Sequence, residues 1–190
     1  NSGMILVIAE KPSLGRDIAD ALPGARVRGD RRYIEKGDYI VTWVFGHLLT
    51  LKDPEDYAPR FAKWALSDLP IYFEDWSKKP GEGKSERLNL IGELLKSADY
   101  VVHAGDPDDE GQYLIDEILD WFGYKGEVFR LSTGDTTEGA LRKALMNMKS
   151  NSEFRNSGWS AHARAVADIM TGYNFSRYFT LKNPHIKMLT

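Results

Sequence analysis

The chain opens with an unbroken apolar run, Ile5-Leu-Val-Ile-Ala9. Such a run, rich in β-branched residues and without polar alternation, predicts a strand buried on both faces. After Glu10-Lys11, Pro12 suits a first helical turn. Leu14, Ile18, Ala21 and Leu22 then fall on one side of a helix reaching residue 22. Tyr33 to Glu35 and Tyr39 to Phe45 predict a hairpin around Lys36-Gly37-Asp38. Residues 52–84 lose all periodicity; their four prolines, Gly81, Gly83 and scattered aromatics predict a long loop. Ser85 starts a helix in which Leu88, Ile91, Leu95 and Ala98 recur at helical spacing.

The next stretch repeats the opening arrangement. Tyr100 to Ala104 predicts a short buried strand, Gly105-Asp-Pro-Asp-Asp-Glu-Gly111 a turn, and Gln112 to Phe122 a helix burying Leu114, Ile115, Ile118, Leu119 and Phe122. Glu127 to Leu131 is a further strand. Asp135-Thr-Thr-Glu138 has the form of a capping box ahead of a helix holding Leu141, Leu145 and Met148. Strands alternating with helices predict an α/β fold, a mostly parallel sheet with helices on both faces. Beyond about residue 150 the pattern is wholly helical. The expected division is therefore one domain over 4–149 and the start of a helical domain over 150–190.

Composition adds little until charge is followed along the chain. The net charge is −3, which does not suit a protein that coats duplex DNA. Residues 151–190, however, hold five Lys and Arg against Glu153 and Asp168, a net +3, leaving 20 basic against 26 acidic residues elsewhere, −6. An acidic body suggests bound cations and a basic tail suggests an anionic partner. There are no cysteines, which excludes disulfides and thiolate metal sites and fits a cytoplasmic protein. No apolar run is long enough for a membrane span. Asn1-Ser2-Gly3 ahead of Met4 reads as the remnant of an expression tag.

The candidate chemistry lies at two expected strand ends. Ligands of parallel sheets bind outside the carboxyl ends of the strands. Glu10 closes the first strand, and Asp106, Asp108 and Glu110 follow a later one. Asp106 and Asp108 are two apart, so in an extended turn they project to one side. Glu110 meets the positive end of the next helix. Four converging carboxylates repel unless a divalent cation screens them, and an all-oxygen set selects a hard ion such as Mg²⁺, with Mn²⁺ as a substitute. A solvated acidic loop with a helix cap is the plainer reading of the same residues.

Ile8-Ala-Glu-Lys-Pro-Ser13 and His103-Ala-Gly-Asp-Pro-Asp-Asp-Glu-Gly-Gln112 resemble the two Toprim signatures of type IA DNA topoisomerases, nearest the topoisomerase III branch. Gly46-His47-Leu-Leu, Trp64-x-Leu-x-Asp-Leu-Pro70, Ser150-Asn-Ser-Glu-Phe154 and the run from Ser160 through Arg164, Asp168 and Gly172 to Arg177 extend the resemblance along nearly the whole chain. The resemblance implies an enzyme that transiently cleaves and rejoins single-stranded DNA using Mg²⁺. Asp106, Asp108 and Glu110 would hold the metal. Glu10 would act as general acid and base at the leaving 3′ oxygen and also touch the metal, and Lys11 would place a positive charge on the scissile phosphate. His47, Arg164, Asp168 and Arg177 would belong to the DNA path, with Asp168 orienting the Arg164 guanidinium one helical turn away; the plainer readings are a strand-end hydrogen bond for His47 and a surface ion pair for Arg164 and Asp168. Aromatics Tyr57, Phe61, Trp64, Tyr72, Phe73 and Trp76 either stack on bases or anchor the long loop. The expected partners are single-stranded DNA and the remainder of a topoisomerase chain, in the cytoplasm on nucleoid or plasmid DNA.

Two departures accompany the resemblance. The family carries arginine between the second aspartate and the glutamate of the second signature, and Asp109 stands there instead. The family's nucleophile is a tyrosine in a Thr-Tyr-x-Arg-Ser/Thr sequence, and none of the nine tyrosines has that context; the expected chain is thus a fragment ending before its nucleophile. Competing readings are another Toprim enzyme (a primase or nuclease), an aspartyl-phosphate phosphotransferase, and a DNA-binding module with an inert acidic site.

Overall fold

The computed structural model describes residues 3–27 and 30–186. Asn1-Ser2 of the leading tripeptide and the last residues of the expected helical segment, 187–190, lie outside the described residues.

In chain order the elements are β1 (Met4–Ala9), α1 (Pro12–Ala21), β2 (Arg26–Val27), β3 (Ile34–Lys36), β4 (Tyr39–Trp43), β5 (Leu49–Leu51), α2 (Pro54–Tyr57), β6 (Lys78–Pro80), α3 (Ser85–Ser97), β7 (Ala98–Ala104), α4 (Asp109–Trp121), β8 (Glu127–Arg130), α5 (Glu138–Met146), β9 (Lys149–Ser150) and α6 (Arg155–Lys182). They form two compact units, Asn1–Leu49 with Pro80–Ala161, and Thr50–Lys79 with His162–Thr190. Compactness therefore divides the chain at three places rather than once near residue 150. The apolar residues of 50–79 follow no helical or strand spacing, so a sequence reading cannot see which later segment they join.

In the first unit the strand order is β2-β3-β4-β1-β7-β8-β9 among the described residues. The inner strands β4, β1, β7 and β8 are parallel, and antiparallel pairs flank them. The expected mostly parallel sheet is borne out. Alternation along β1 explains the helices on both faces: Val7 and Ala9 pack with α1 and α5, whereas Leu6 and Ile8 pack with α3 and α4. Leu6 to Ala9 are each 0% exposed, so the strand has no polar side at all. Burying each large aliphatic of such a strand contributes roughly 1.5–3 kcal/mol.

Three local expectations change. Phe122, expected inside, is the C-cap of α4 and is 37% exposed. The helix expected from Gln112 begins at Asp109, because the Asp108 carboxylate accepts the Gly111 N–H at 2.6 Å and caps it three residues earlier. The capping box at Asp135 does not form. Asp135 Oδ1 instead accepts the Thr137 N–H at 2.9 Å, Thr137 becomes the cap, and Glu138 pairs with Arg142 at 2.5 Å.

The second unit holds α2 and the larger part of α6. Its ring packing favours the anchoring role for the aromatics: Tyr57 stacks on Phe73 at 4.0 Å, and Phe61 and Trp76 meet Phe73 edge-on at 5.9 and 5.3 Å. Asn174 clasps the Ile71 backbone, accepting its N–H at 2.5 Å and donating to its carbonyl at 2.8 Å. Among the described residues no helix is long and apolar enough to cross a membrane.

Candidate functional site

The register of the parallel strands builds the site. Ile8 lies opposite His103 and Ala9 opposite Ala104, so Glu10 and the Gly105-Asp106 turn leave the sheet side by side. The Asp106 N–H donates to Glu10 Oε2. Burial raises the Glu10 pKa, the Asp106 N–H opposes that, and the Asp106 and Asp108 carboxylates add to the rise. Lys11 follows at the N-cap of α1 with its side chain exposed and its carbonyl accepting the Gly15 N–H at 3.1 Å.

Asp108 and Glu110 sit on the same rim but are engaged elsewhere. Asp108 caps α4. Glu110, in the first turn of α4, accepts from His47 Nε2 at 3.0 Å. His47 Nδ1 donates to Glu117 Oε1 at 2.9 Å. The hydrogen bond to Glu117 is the main cause of a raised His47 pKa, which favours the doubly protonated ring. The His47 ring thus bridges two acids at the crevice. Of the four expected ligands, Glu10 and Asp106 are joined directly, with Asp108 close enough to be felt electrostatically. Among the described residues no three carboxylates or imidazoles gather tightly enough to hold one ion. Donor chemistry fits a hard cation; the closed shell is not formed.

Beneath this rim lies a buried polar layer that sequence reasoning missed. Arg130 is 3% exposed, and its guanidinium donates to the carbonyls of Gly105, Leu131 and Asp106 at 2.6, 2.7 and 2.7 Å, with Nε on Gln112 Oε1 at 2.7 Å. Burial lowers its pKa to about 10 despite the surrounding acids, so it remains a cation. His103 donates from Nε2 to the Gln112 carbonyl at 2.9 Å and accepts the Gly105 N–H on Nδ1 at 3.2 Å. Full burial pushes its pKa down to about 3, matching that neutral tautomer. Gln112, Asp116 and Asn151 complete the layer through bonds of 2.7 to 2.8 Å. Arg130 and His103 thus grip the backbone that carries Asp106. The signal for Arg130 was a cation at the end of an expected buried strand.

Glycines make the grip close. A Cβ on Gly105 would stand 2.1 Å from the Gly111 carbonyl oxygen, and one on Gly111 2.3 Å from the Asp106 carbonyl oxygen. Backbone meets backbone here, and no side chain fits.

The remaining candidates lie in the second unit, on α6. Arg164 and Asp168 are exposed and one turn apart. Arg177, expected on DNA, is instead 3% exposed: Nη1 donates to the Phe61 carbonyl at 2.7 Å, Nη2 approaches Glu55 at 3.3 Å, and the guanidinium lies 5.3 Å from the Trp64 ring. Its place at the centre of the loop's packing gives it a structural role in this arrangement.

Comparison with known proteins agrees with this architecture. A family model described as the Toprim domain matches residues 5–133. DNA topoisomerase 3 of Salmonella typhimurium is 44% identical over 183 residues, covering 94% of this chain and 28% of that protein. The Vibrio cholerae protein of the same name is 43% identical over 180 residues, 93% of this chain and 28% of the relative, and that of Bacillus subtilis is 36% identical over 179 residues, 93% and 24%. The chain thus spans 24–28% of the length of these curated relatives. Full-length topoisomerase I from Thermotoga maritima is similar in fold, with a TM-score of 0.51 at 18% identity over 77% of this chain and 21% of the other.

Proposed function

The chain belongs to the Toprim family, and from that premise we propose that it is the N-terminal part of a topoisomerase III-like enzyme that cleaves and rejoins single-stranded DNA with Mg²⁺. The observation that carries the reading is the pairing of Glu10 with Asp106 at the carboxyl ends of adjacent parallel strands, with Asp108 and Glu110 on the same rim. In functional terms residues 4–149 carry the chemistry and 150–190 begin a helical DNA-binding domain, with Arg164 and Asp168 on the strand path. The remainder of the enzyme supplies the nucleophile, and the whole acts on nucleoid or plasmid DNA in the cytoplasm.

Glu10, Asp106, Asp108 and Glu110 would hold the cation, which supplies charge neutralisation at the phosphate when bound. Closing its shell requires Asp108 to turn from the Gly111 N–H and Glu110 from His47. Such a site borrows phosphate oxygens, so affinity without DNA is weak. Glu10 has a carboxyl group raised by burial and by neighbouring acids, which suits a general acid giving its proton to the departing 3′ oxygen and recovering it on rejoining. Lys11 and His47 add positive charge beside the phosphate.

Calorimetric titration tests the metal reading. Millimolar Mg²⁺ or Mn²⁺ is expected to bind and to raise the melting temperature, since a ligand of the folded state alone stabilises it by mass action. Asn at both Asp106 and Asp108 should abolish the effect. No binding with or without oligonucleotide would sink the metal site.

A further inference from the structure

Next to the acidic rim, where β4 ends, the first unit contains a second feature of different chemistry. Val44 continues the pairing with β1, its N–H donating to the Ala9 carbonyl at 3.0 Å, so it lies beside Glu10. His47, three residues on, reaches Glu110. Phe45, between them, is 47% exposed, which is unusual for a phenylalanine at the ligand end of a parallel sheet. It borders a cavity of about 250 Å³ lined also by Arg32, Lys84, Glu86 and Arg87.

The cavity is built rather than incidental. The Arg87 guanidinium lies 5.0 Å from the Phe45 ring and 5.3 Å from the Trp43 ring. Its Nη1 donates to the Arg32 carbonyl at 2.6 Å and to Thr42 Oγ1 at 3.0 Å, which fixes the fork. Lys84 Nζ donates to the Phe45 carbonyl at 2.8 Å and holds the aromatic in place. Among the described residues neither Arg87 nor Lys84 has a carboxylate within ion-pair distance, and Arg32 is taken by Asp30. Two cations therefore stand without a direct ion pair beside an exposed ring, with Glu86 as the acid of the lining, in a chain whose net charge is −3. Burial and the neighbouring Arg32 charge lower the Arg87 pKa, and the Glu86 and Asp30 carboxylates offset only part of that.

We propose that this cavity is a nucleotide subsite for the single strand led to the acidic rim, in which one base stacks on Phe45 and its phosphate is met by Arg87 and Lys84. The combination fits nucleic acid: one aromatic face accepts any base, a guanidinium over the opposite face strengthens stacking, and two cations match a phosphate. The size suits a base with part of its sugar and excludes a duplex. The subsite rests on the reading of the chain as a single-stranded DNA enzyme, yet it does not depend on the metal.

Photo-cross-linking of the 190-residue chain to a ten-nucleotide oligothymidylate carrying 5-iododeoxyuridine tests it, with the adduct mapped by mass spectrometry. The adduct is expected on Phe45. Phe45→Leu, at an exposed position where the fold is retained, should lose the adduct and weaken oligonucleotide binding about tenfold, within the range of one lost stacking contact. Lys84→Gln should flatten the salt dependence of binding by about one phosphate. Binding that is unaltered in Phe45→Leu, with adducts mapping elsewhere, overturns the subsite and leaves the broader reading standing. A wild-type chain that binds no oligonucleotide overturns both.

Discussion

Asp109 is a single charge set among the proposed metal ligands. It is the first residue of α4, in a turn that also carries Asp106, Asp108 and Glu110. At an effective dielectric near 20, one such charge about 6 Å from a phosphate repels it by roughly 3 kcal/mol, less with solvent screening. Asp109→Arg turns that repulsion into attraction. It also places a cation at a helix N-terminus, at a cost of about 0.5 kcal/mol in stability. The expected outcome is tighter oligonucleotide binding at low salt with a steeper salt dependence. Fluorescence anisotropy in Mg²⁺ across a salt series measures it. Unchanged affinity at every salt concentration would mean that Asp109 does not face the phosphate path.

The turn between β7 and α4 depends on how closely two backbones approach. Gly105 and Gly111 bring the strand end and the first turn of α4 within van der Waals distance, and Arg130 and His103 hold the carbonyl and N–H groups in between. Gly111→Ala would drive a methyl group against the Asp106 carbonyl with no flexible side chain to yield. The backbone must shift, and overpacking of this kind costs about 1–3 kcal/mol. We expect a lower urea midpoint together with loss of Mg²⁺ binding, because the displaced segment is the one carrying Asp106. Gly134→Ala, at a site where a Cβ meets nothing within 4 Å, should do neither. Equal midpoints for the two variants would show that the turn relaxes freely and that the glycines are not required by packing.

As a whole, the polypeptide joins a unit that carries the acidic rim to one that carries the exposed Arg164 and Asp168. None of its nine tyrosines lies in a Thr-Tyr-x-Arg-Ser/Thr sequence, so the 190-residue chain by itself is expected neither to relax supercoiled DNA nor to form a covalent DNA adduct. A strand attached to any of these tyrosines, seen by mass spectrometry, would contradict this. The parallel sheet and the acidic strand ends were legible without coordinates. Both are written in local patterns, the apolar run Ile5 to Ala9 and the Asp106-x-Asp108-x-Glu110 triplet after a buried strand. The order of motifs along the chain likewise carried the family. Contacts between distant segments were not legible. Nothing local announces that Arg130 supports Asp106, that His47 lies between Glu110 and Glu117, or that Arg177 packs on the Phe61 loop. Periodicity reports which face of an element is apolar, whereas the partner of a lone polar group is chosen only when the elements pack. For that reason sequence determined which residues reach the rim, and tertiary structure decided what each one touches there.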